Sequence, residues 1–434
     1  MIDFGRLRMI KAEFDSIRVK LLKKPGRSAS QVLFRDADRD KTDFLACRCK
    51  MSSSIITGES FAPLADWLLI VAPAADEPTT FEYWQQKASP RFAQLLTLIL
   101  VGLGKDRTEW RGWAAERGEV VPVREIELIG AGMPILVGNS ARSAQSSLLA
   151  RMSQISEELQ PRPKAIPPNR SRIEAAIPPE LCDRIKGSQI GIVGASYMGH
   201  SIATYLAGLG AKGIVLMDNR KVSDHHVGPL PLTMEDIAKP LAGAISEQLA
   251  KRFPNTNFYA PDTANTPKYG ILRDLGSEFG SLNLWVTCVD TDFPRLAIAE
   301  HCTTKLIPHL DVEYFVSEGY KALGRVRLVL PYDGCIVCAG GIRDMDQALY
   351  ELNAPVGALP RRPPLPWNSH GRIGTLPYQS DLIASAAVQT WLGLLKGEIS
   401  ESVDQVLQWE RGSLPSLVTR NIPSSSSCDV CGKK

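Results

Sequence analysis

The sequence lacks several features that would place it in a specialised class of protein. No histidine occurs before residue 200, and 50 basic residues nearly balance 47 acidic ones. The longest apolar run, near residues 95–104, has about half the length that a bilayer requires. A net charge of +3 produces no strong field toward nucleic acid or anionic lipid. We therefore predict no membrane segment and no nucleic-acid partner.

The cysteines point to a metal rather than to disulfides. The first fifteen residues carry charges throughout and lack the apolar core of a secretion signal, which predicts a cytoplasmic protein. The nine cysteines are an odd number, which argues against a disulfide framework. Two Cys-x-x-Cys pairs, Cys335 with Cys338 and Cys428 with Cys431, fit a closed tetrahedral Zn²⁺ site with a structural role. Redox pairs and unpaired thiols are the alternatives.

The pattern of apolar runs divides the chain into two parts. Residues 1–140 contain candidate strands at 66–73, 95–102 and 120–130, which predicts a small α/β domain with an accessory or docking role. Residues 141–168 combine a helical pattern with a proline-rich stretch, which predicts a helix followed by a linker.

From residue 189 the pattern changes to that of a parallel sheet. QIGIVG, MGHSIATYLAGLG and GIVLMD supply a strand, a helix and a second strand, as in a βαβ unit. Further strands are expected at 282–290 and 306–315, and a buried helix at 381–395. The fold class that this predicts is a Rossmann-like, doubly wound α/β sheet preceded by the smaller α/β domain.

The first turn of this unit is a candidate nucleotide site. It runs from Gly194 to Gly199, with Ser196 at the position where a G-x-G-x-x-G motif has its second glycine. In such folds a phosphate group lies at the helix N-terminus, where free N–H groups and the helix dipole favour anions. Asp218 ends the next strand, where an acid binds ribose hydroxyls. A turn without phosphate, capped by the aspartate, is the alternative.

Five motifs follow one another over the second part of the chain: GIVGASYMG, GIVLMDNRKV, WVTCVDTDFPR, GRVRLVLPYDGCIVC and CDVCG. Their order resembles the ThiF–MoeB–HesA family, in the superfamily of adenylyltransferases that includes the ubiquitin-activating enzymes. The resemblance implies an adenylation domain over residues 169–434 that uses ATP and Mg²⁺, carries a structural Zn²⁺ site and has a long loop at 339–380. It implies a homodimer that activates the C-terminal carboxylate of a ubiquitin-like or sulfur-carrier protein, or of a precursor peptide.

The same resemblance implies roles for individual residues. Asp290 would bind Mg²⁺ near the reacting phosphate, and Arg295 would brace the turn beside it in the nucleotide site. Arg172 would act as a catalytic residue in the ATP site of the other subunit. The phosphate-binding lysine of the family falls on Leu241. Lys239 is the nearest lysine, and it can take over that role only if the turn is not helical.

Several positions depart from the family pattern. Ser196 replaces a glycine, Arg220 an acid, His226 an asparagine, Pro229 an arginine and Leu241 the lysine. Losing one cation from a phosphate clamp commonly costs a few kcal/mol of transition-state stabilisation. The main alternative is therefore an adenylation-dead scaffold that binds a small protein or peptide for a partner enzyme. An NAD(P)-linked oxidoreductase is a third possibility, against which the placement of the cysteine pairs argues.

Two further activities find no support in the residues. A thioester-forming relative carries a nucleophilic cysteine in the long loop, but residues 339–380 contain none. Cys182 and Cys302 are possible nucleophiles without a signature, whereas Cys288 lies inside a predicted strand and is expected in the core. The segment at residues 95–137, at the end of the N-terminal part, resembles the last strands of a JAB-type metalloprotease. Because all six histidines lie at or after residue 200, that segment cannot form the usual histidine-containing zinc site.

Overall fold

The computed structural model falls into two compact units, the first made chiefly of residues 1–145 and the second chiefly of 146–433. In the first unit it describes the strands named below together with Phe14 and Gly130. In the second it describes residues 171–261, 279, 282–316, 322–353, 376–409, 415–428, 430 and 431. The helix and linker predicted at 141–168 lie outside the described residues, so the proposed domain boundary remains a prediction.

The described part of the N-terminal unit contains two β-sheets. Its strands are β1 Arg6–Ile10, β2 Ala29–Phe34, β3 Phe44–Cys47, β4 Lys50–Met51, β5 Asp66–Val71, β6 Thr97–Leu103, β7 Glu109–Glu116, β8 Glu119–Val123, β9 Glu125–Ile129 and β10 Ile135–Leu136. One sheet has the order β10-β9-β1-β3 and the other the order β4-β2-β5-β6-β7-β8. A buried ion pair joins β1 to β9, where Arg8 lies opposite Glu127 with 2.8 Å between guanidinium and carboxylate.

The single strand predicted at 120–130 is two strands in the structure. Val123 of β8 pairs with Gly112 in the six-stranded sheet, whereas Glu125 of β9 pairs with Arg6 in the four-stranded sheet. The chain thus changes sheets between Val123 and Glu125. Pairing partners far along the chain decide this change, so local periodicity does not show it.

The C-terminal unit alternates helices with the strands of one large sheet. Its elements are α1 Ser171–Ala176, α2 Pro179–Gly187, β11 Gln189–Val193, α3 Tyr197–Leu209, β12 Gly213–Met217, the 3₁₀ turns Asp224–His226 and Met234–Asp236, α4 Leu241–Arg252, β13 Asn257–Tyr259, β14 Leu284–Thr287, α5 Asp292–Lys305, β15 His309–Val316, β16 Ala322–Val329, α6 Met345–Asn353, α7 Pro377–Lys396, β17 Val403–Gln408 and β18 Ser416–Asn421.

The large sheet has the order β13-β12-β11-β14-β15-β16-β17-β18. Pairing is parallel from β13 to β15 and antiparallel from there to β18. The chain starts at β11, runs outward to β13 and then returns to β14 on the other side of β11. The order therefore reverses between β11 and β14, and ligands of open α/β sheets bind in the crevice at such a switch point.

Burial explains why the sequence shows apolar runs in this sheet. Every residue of β11, β12 and β14 is buried, because helices cover both faces of a parallel sheet. Trp285 of β14 is fully buried against Phe279 and Ile298 in the core. Helix α3 ends at Gly210, whose φ of +103° gives the left-handed cap that glycine adopts most readily.

The predicted fold class is confirmed as a mixed α/β architecture with a central multistranded sheet and a four-cysteine cluster. Within the predicted loop at 339–380, the structure instead places helix α6, and α7 begins at Pro377. Asp344 caps α6 by accepting a hydrogen bond from the Gln347 N–H at 3.0 Å. The proline-rich stretch that begins at Pro355 follows directly after this short helix and obscures its pattern in the sequence. Among the described residues, no helix combines the length and apolar character needed to cross a bilayer.

Candidate nucleotide and metal sites

The turn after β11 has the backbone that its glycines predict. Gly194 has a φ of +98°, and a Cβ placed there would overlap the carbonyl oxygen of Cys288 on the neighbouring strand connection. A Cβ on Gly199 would overlap the carbonyl oxygen of Gly194. Both positions require glycine because β11, α3 and the end of β14 approach one another closely. Ser196 is the N-cap of α3, and its side chain makes no capping hydrogen bond.

Three of the predicted site residues follow three neighbouring strands. Gly194 follows β11, Asp218 follows β12, and the exposed Asp290 stands three residues beyond the end of β14. Val193 pairs with Met217 on one side and with Thr287 on the other, and all these pairings are parallel. The carboxyl ends of the strands therefore bring these residues to the same edge of the sheet, at the switch point.

Asp218 is buried and its carboxylate is fully occupied. Oδ2 accepts hydrogen bonds from the Ala195 N–H at 2.9 Å and from Arg220 Nη2 at 2.7 Å. Oδ1 accepts from the Arg220 N–H at 3.0 Å and from Arg220 Nε at 2.9 Å. A carboxylate has about four lone-pair positions. A ribose hydroxyl can therefore bind Asp218 only when Arg220 moves away.

Asp218 and Arg220 form an ion pair in which both side chains are charged. Burial acts to raise the pKa of Asp218, but the charge of Arg220 and the hydrogen bonds from Arg220 and Ala195 outweigh it and lower the pKa below its ordinary value. The Arg220 side chain remains 47% exposed, so it has room to turn toward solvent. The sequence shows Arg220 as a departure from the family pattern, but it does not predict this ion pair.

Two histidines follow Arg220 in the 3₁₀ turn Asp224–His226. The Tyr197 hydroxyl, at the start of α3, donates to the His225 carbonyl at 2.7 Å and anchors the turn beside that helix. The Ser223 N–H donates to His226 Nδ1 at 3.1 Å, so the neutral ring carries its proton on Nε2. Burial, followed by the charges of His225 and Arg220, lowers the pKa of His226 to about 4. His226 is therefore a neutral donor at physiological pH.

The segment before α4 decides the positions of Lys239 and Leu241. Lys239 precedes the helix in a non-helical turn, after Ala238 with its φ of +70°. Its ammonium group contacts the Asp236 carboxylate at 2.8 Å, and this hydrogen bond raises the pKa of Lys239. Leu241 begins α4 and is fully buried. The condition that the turn is not helical is met, but the lysine is already bound to an acid.

The turn that carries Asp290 is held by two arginines. Arg295 is only 1% exposed and donates to the Val289 carbonyl at 2.6 Å, while its guanidinium also pairs with Asp311 at 3.2 Å and with Glu313. Arg343 donates to the Asp290 carbonyl at 2.8 Å.

The pattern of charges on two strands would have revealed the partners of Arg295. Asp311 and Glu313 alternate on β15, and they lie opposite Arg327 and Arg325 on the antiparallel strand β16. Arg327 bonds Asp311 at 2.6 Å and Glu313 at 2.9 Å. Opposite charges at every second residue of two buried strands indicate a buried ionic network.

Arg172 lies in helix α1, and its side chain is outside the described part. Its predicted role in a second subunit remains a prediction. The roles of Asp290, Arg295, Lys239 and the glycine turn likewise remain predictions.

The four cysteines of the two pairs meet in one cluster. Their sulfur atoms all lie within 4.8 Å of one another, with 3.9 Å between Cys335 and Cys338, 3.5 Å between Cys335 and Cys428, and 3.4 Å between Cys338 and Cys431. A tetrahedral site with Zn–S bonds of about 2.3 Å has sulfur atoms about 3.8 Å apart. The cluster therefore fits a closed metal site, and its identity as zinc is a prediction.

The surroundings of the cluster support a structural role. The apolar side chains of Ile336, Ile422 and Val430 pack around it. A Cβ on Gly334 would lie 2.5 Å from the Ile422 carbonyl oxygen, so glycine lets the C-terminal segment approach the first cysteine pair.

The other described cysteines do not resemble activated nucleophiles. Burial raises the pKa of the Cys288 thiol, Cys302 is buried in the core, and the Cys182 thiol donates to the Ile177 carbonyl at 3.7 Å. A nucleophilic cysteine has instead a lowered pKa in a positively charged, accessible environment.

Comparison with solved structures finds crystal structures of MccB from E. coli. One with MccA-N7isoASN is 16% identical, covering 58% of this chain and 69% of that chain with a TM-score of 0.44. One with ATP is 17% identical, covering 58% and 69% with a TM-score of 0.43. One with AMPCPP and MccA is 14% identical, covering 77% and 98% with a TM-score of 0.46.

No curated protein matches the chain. The model of the ThiF family matches residues 169–409, which is more than half of the sequence and includes both the glycine turn and the first cysteine pair. The chain belongs to the ThiF family.

Proposed function

We propose that this protein uses ATP to adenylate the C-terminal carboxylate of a ubiquitin-like or sulfur-carrier protein, or of a precursor peptide. Membership of the ThiF family supports ATP-dependent adenylation of a peptide or protein C-terminus as the class of reaction. One observation carries the proposal for this chain. The glycine turn, Asp218 and Asp290 converge at the switch point of the sheet, where open α/β folds bind their ligands.

The reaction needs positioning and charge neutralisation rather than proton transfer. A carboxylate oxygen attacks the α-phosphorus of ATP, and the bond to the β-phosphate breaks as pyrophosphate leaves with the electron pair. The products are an acyl-adenylate and pyrophosphate. In this scheme the N–H groups at the start of α3 bind phosphate oxygens, and Asp218 receives the ribose after Arg220 has turned away. Arg220 then supplies a positive charge near the phosphates, in place of the missing lysine.

Asp290 fits a Mg²⁺ ligand. Its exposed carboxylate stands at the switch point, and Mg²⁺ is bound through one or two carboxylates together with substrate phosphates. When bound, the ion would neutralise charge on the triphosphate. Arg172 would complete the site from a second copy of the chain, so the proposed active form is a homodimer.

Pyrophosphate exchange with purified protein and candidate carriers tests the proposal. We expect ATP-dependent exchange with one carrier, loss of exchange in Asp290→Ala, and normal exchange in Glu398→Ala, which removes an exposed acid after α7. Absence of exchange with every carrier, together with absence of ATP binding by calorimetry, would refute the proposal.

The saturation of Asp218 favours a second candidate, the adenylation-dead scaffold. Arg220 is bonded to Asp218, the acid that would bind the ribose. Leu241, which stands where the family has its phosphate-binding lysine, is an apolar and fully buried residue. Arg220→Gln separates the two functions. It removes the charge that fills Asp218, so an adenylating enzyme responds with a changed rate of ATP-dependent pyrophosphate exchange, whereas an adenylation-dead scaffold shows no exchange before or after the substitution.

A further inference from the structure

The segment that follows the first cysteine pair is locked in place by its own backbone. The Ala339 N–H donates to the Cys335 carbonyl at 3.0 Å, and the Gly341 N–H donates to the Ile336 carbonyl at 2.8 Å. Gly340 has a φ of +63°, which turns the chain back. The position of residues 341–344 is therefore set by the backbone of the first cysteine pair, Cys335 to Cys338.

This segment is bonded directly to the turn that carries Asp290. The N–H groups of Arg343 and Asp344 both donate to Asp292 Oδ2 at 2.9 Å. The Arg343 side chain reaches over this contact, with Nε 3.4 Å from Asp292 Oδ1 and Nη2 2.8 Å from the Asp290 carbonyl oxygen. Asp292 thus acts as an anchor, and Arg343 binds the backbone of Asp290 itself.

A second arginine holds the preceding peptide. Arg295 donates to the Val289 carbonyl at 2.6 Å and to the Gly341 carbonyl at 3.4 Å. Two successive carbonyl groups, those of Val289 and Asp290, are consequently fixed by two guanidinium groups. Arg295 is buried, but the Arg343 side chain is 62% exposed, so replacing Arg343 changes the turn without opening the core.

We propose that Arg343 is a positioning residue for Asp290. Through Arg343, the segment that follows the first cysteine pair orients the Asp290 carboxylate, which would bind Mg²⁺. The proposal rests on the function proposed above, because it requires Asp290 to bind a divalent cation with the nucleotide. A metal ligand is oriented by groups that bond its surroundings, and removing such groups typically lowers metal affinity by about 10- to 100-fold. Exposed ion pairs contribute little to stability, so the effect should fall on the cation rather than on folding.

Binding of Mn²⁺ in the presence of ATP, followed by electron paramagnetic resonance of the free ion, tests this role. We expect Arg343→Ala to weaken Mn²⁺ binding by about tenfold while leaving the urea midpoint unchanged. Arg343→Lys should restore only part of the affinity, because an ammonium group lacks the fork that reaches both Asp290 and Asp292. Arg420→Ala, which removes an arginine from the exposed strand β18, should leave Mn²⁺ binding unchanged.

The double variant separates positioning from a general structural effect. If Arg343 acts through Asp290, then Arg343→Ala has no further effect on Mn²⁺ affinity in the Asp290→Ala background. If Asp290→Ala weakens Mn²⁺ binding but Arg343→Ala does not, the positioning role is overturned and the proposed function still stands. The same conclusion follows if Arg343→Ala lowers Mn²⁺ affinity in the Asp290→Ala background as much as it does in the wild type. A wild-type protein that binds no Mn²⁺ with ATP overturns the proposed function, and this role with it.

Discussion

Replacing Thr287 by valine should destabilise the C-terminal unit through the loss of one hydroxyl group. Thr287 is fully buried on β14, and its hydroxyl donates to Asp311 Oδ1 at 2.7 Å. His309 Nε2 lies 2.8 Å from the Thr287 hydroxyl oxygen and donates to it, since the hydroxyl proton points to the carboxylate of Asp311. Valine has almost the same shape but no hydroxyl. The carboxylate therefore loses a donor, and the buried imidazole N–H loses its acceptor.

The magnitude follows from the two groups that lose a partner. Each buried polar group without its hydrogen bond costs about 1–3 kcal/mol, so we expect a loss of about 3 kcal/mol in the free energy of unfolding. Thr287→Ser is the matched control, because it keeps the hydroxyl and loses one methyl group, at a cost of about 0.8 kcal/mol.

Urea unfolding followed by circular dichroism measures the difference. With a slope of about 2 kcal/mol per molar urea, the midpoint of the valine variant should lie about 1 M below that of the serine variant. A valine variant as stable as the serine variant would show that the hydrogen bonds from Thr287 do not support Asp311.

Two further predictions concern pH and metal. Burial lowers the pKa of His309 to about 4, so between pH 6.5 and 4 the unfolded chain binds a proton that the folded chain does not, and stability falls as the pH falls. Protonation of His309 alone should lower the free energy of unfolding by about 2 kcal/mol between pH 7 and pH 5. Urea unfolding at both pH values should show a smaller decrease in this free energy for His309→Gln than for the wild type. Equal decreases would contradict the assignment. Titration with Co²⁺ should produce thiolate-to-metal absorption bands that Cys431→Ser weakens or shifts, whereas an unchanged spectrum would place the metal elsewhere.

The glycine turn shows how far local sequence can specify a site. Gly194 and Gly199 are recognisable because no other residue fits a backbone that passes so close to its neighbours. The cysteine pairs are recognisable for a similar reason, since their spacing matches what one tetrahedral ion requires. The glycine turn depends on residues only a few positions apart. The cysteines form two Cys-x-x-Cys pairs, a spacing that few structures other than a metal site explain.

Contacts between charged groups were decided by the tertiary structure alone. The sequence places Arg220 two residues after Asp218, but only the folded backbone shows that its guanidinium fills the carboxylate. The contact of Arg343 with Asp290 spans 53 residues, and no periodicity links the two positions. The sequence by itself therefore determined the parallel βαβ part of the sheet, the glycine turn and the paired cysteines, because burial and backbone geometry restrict which residues can occupy these positions. The orientation of each charged side chain was decided by which opposite charge the fold brought within reach.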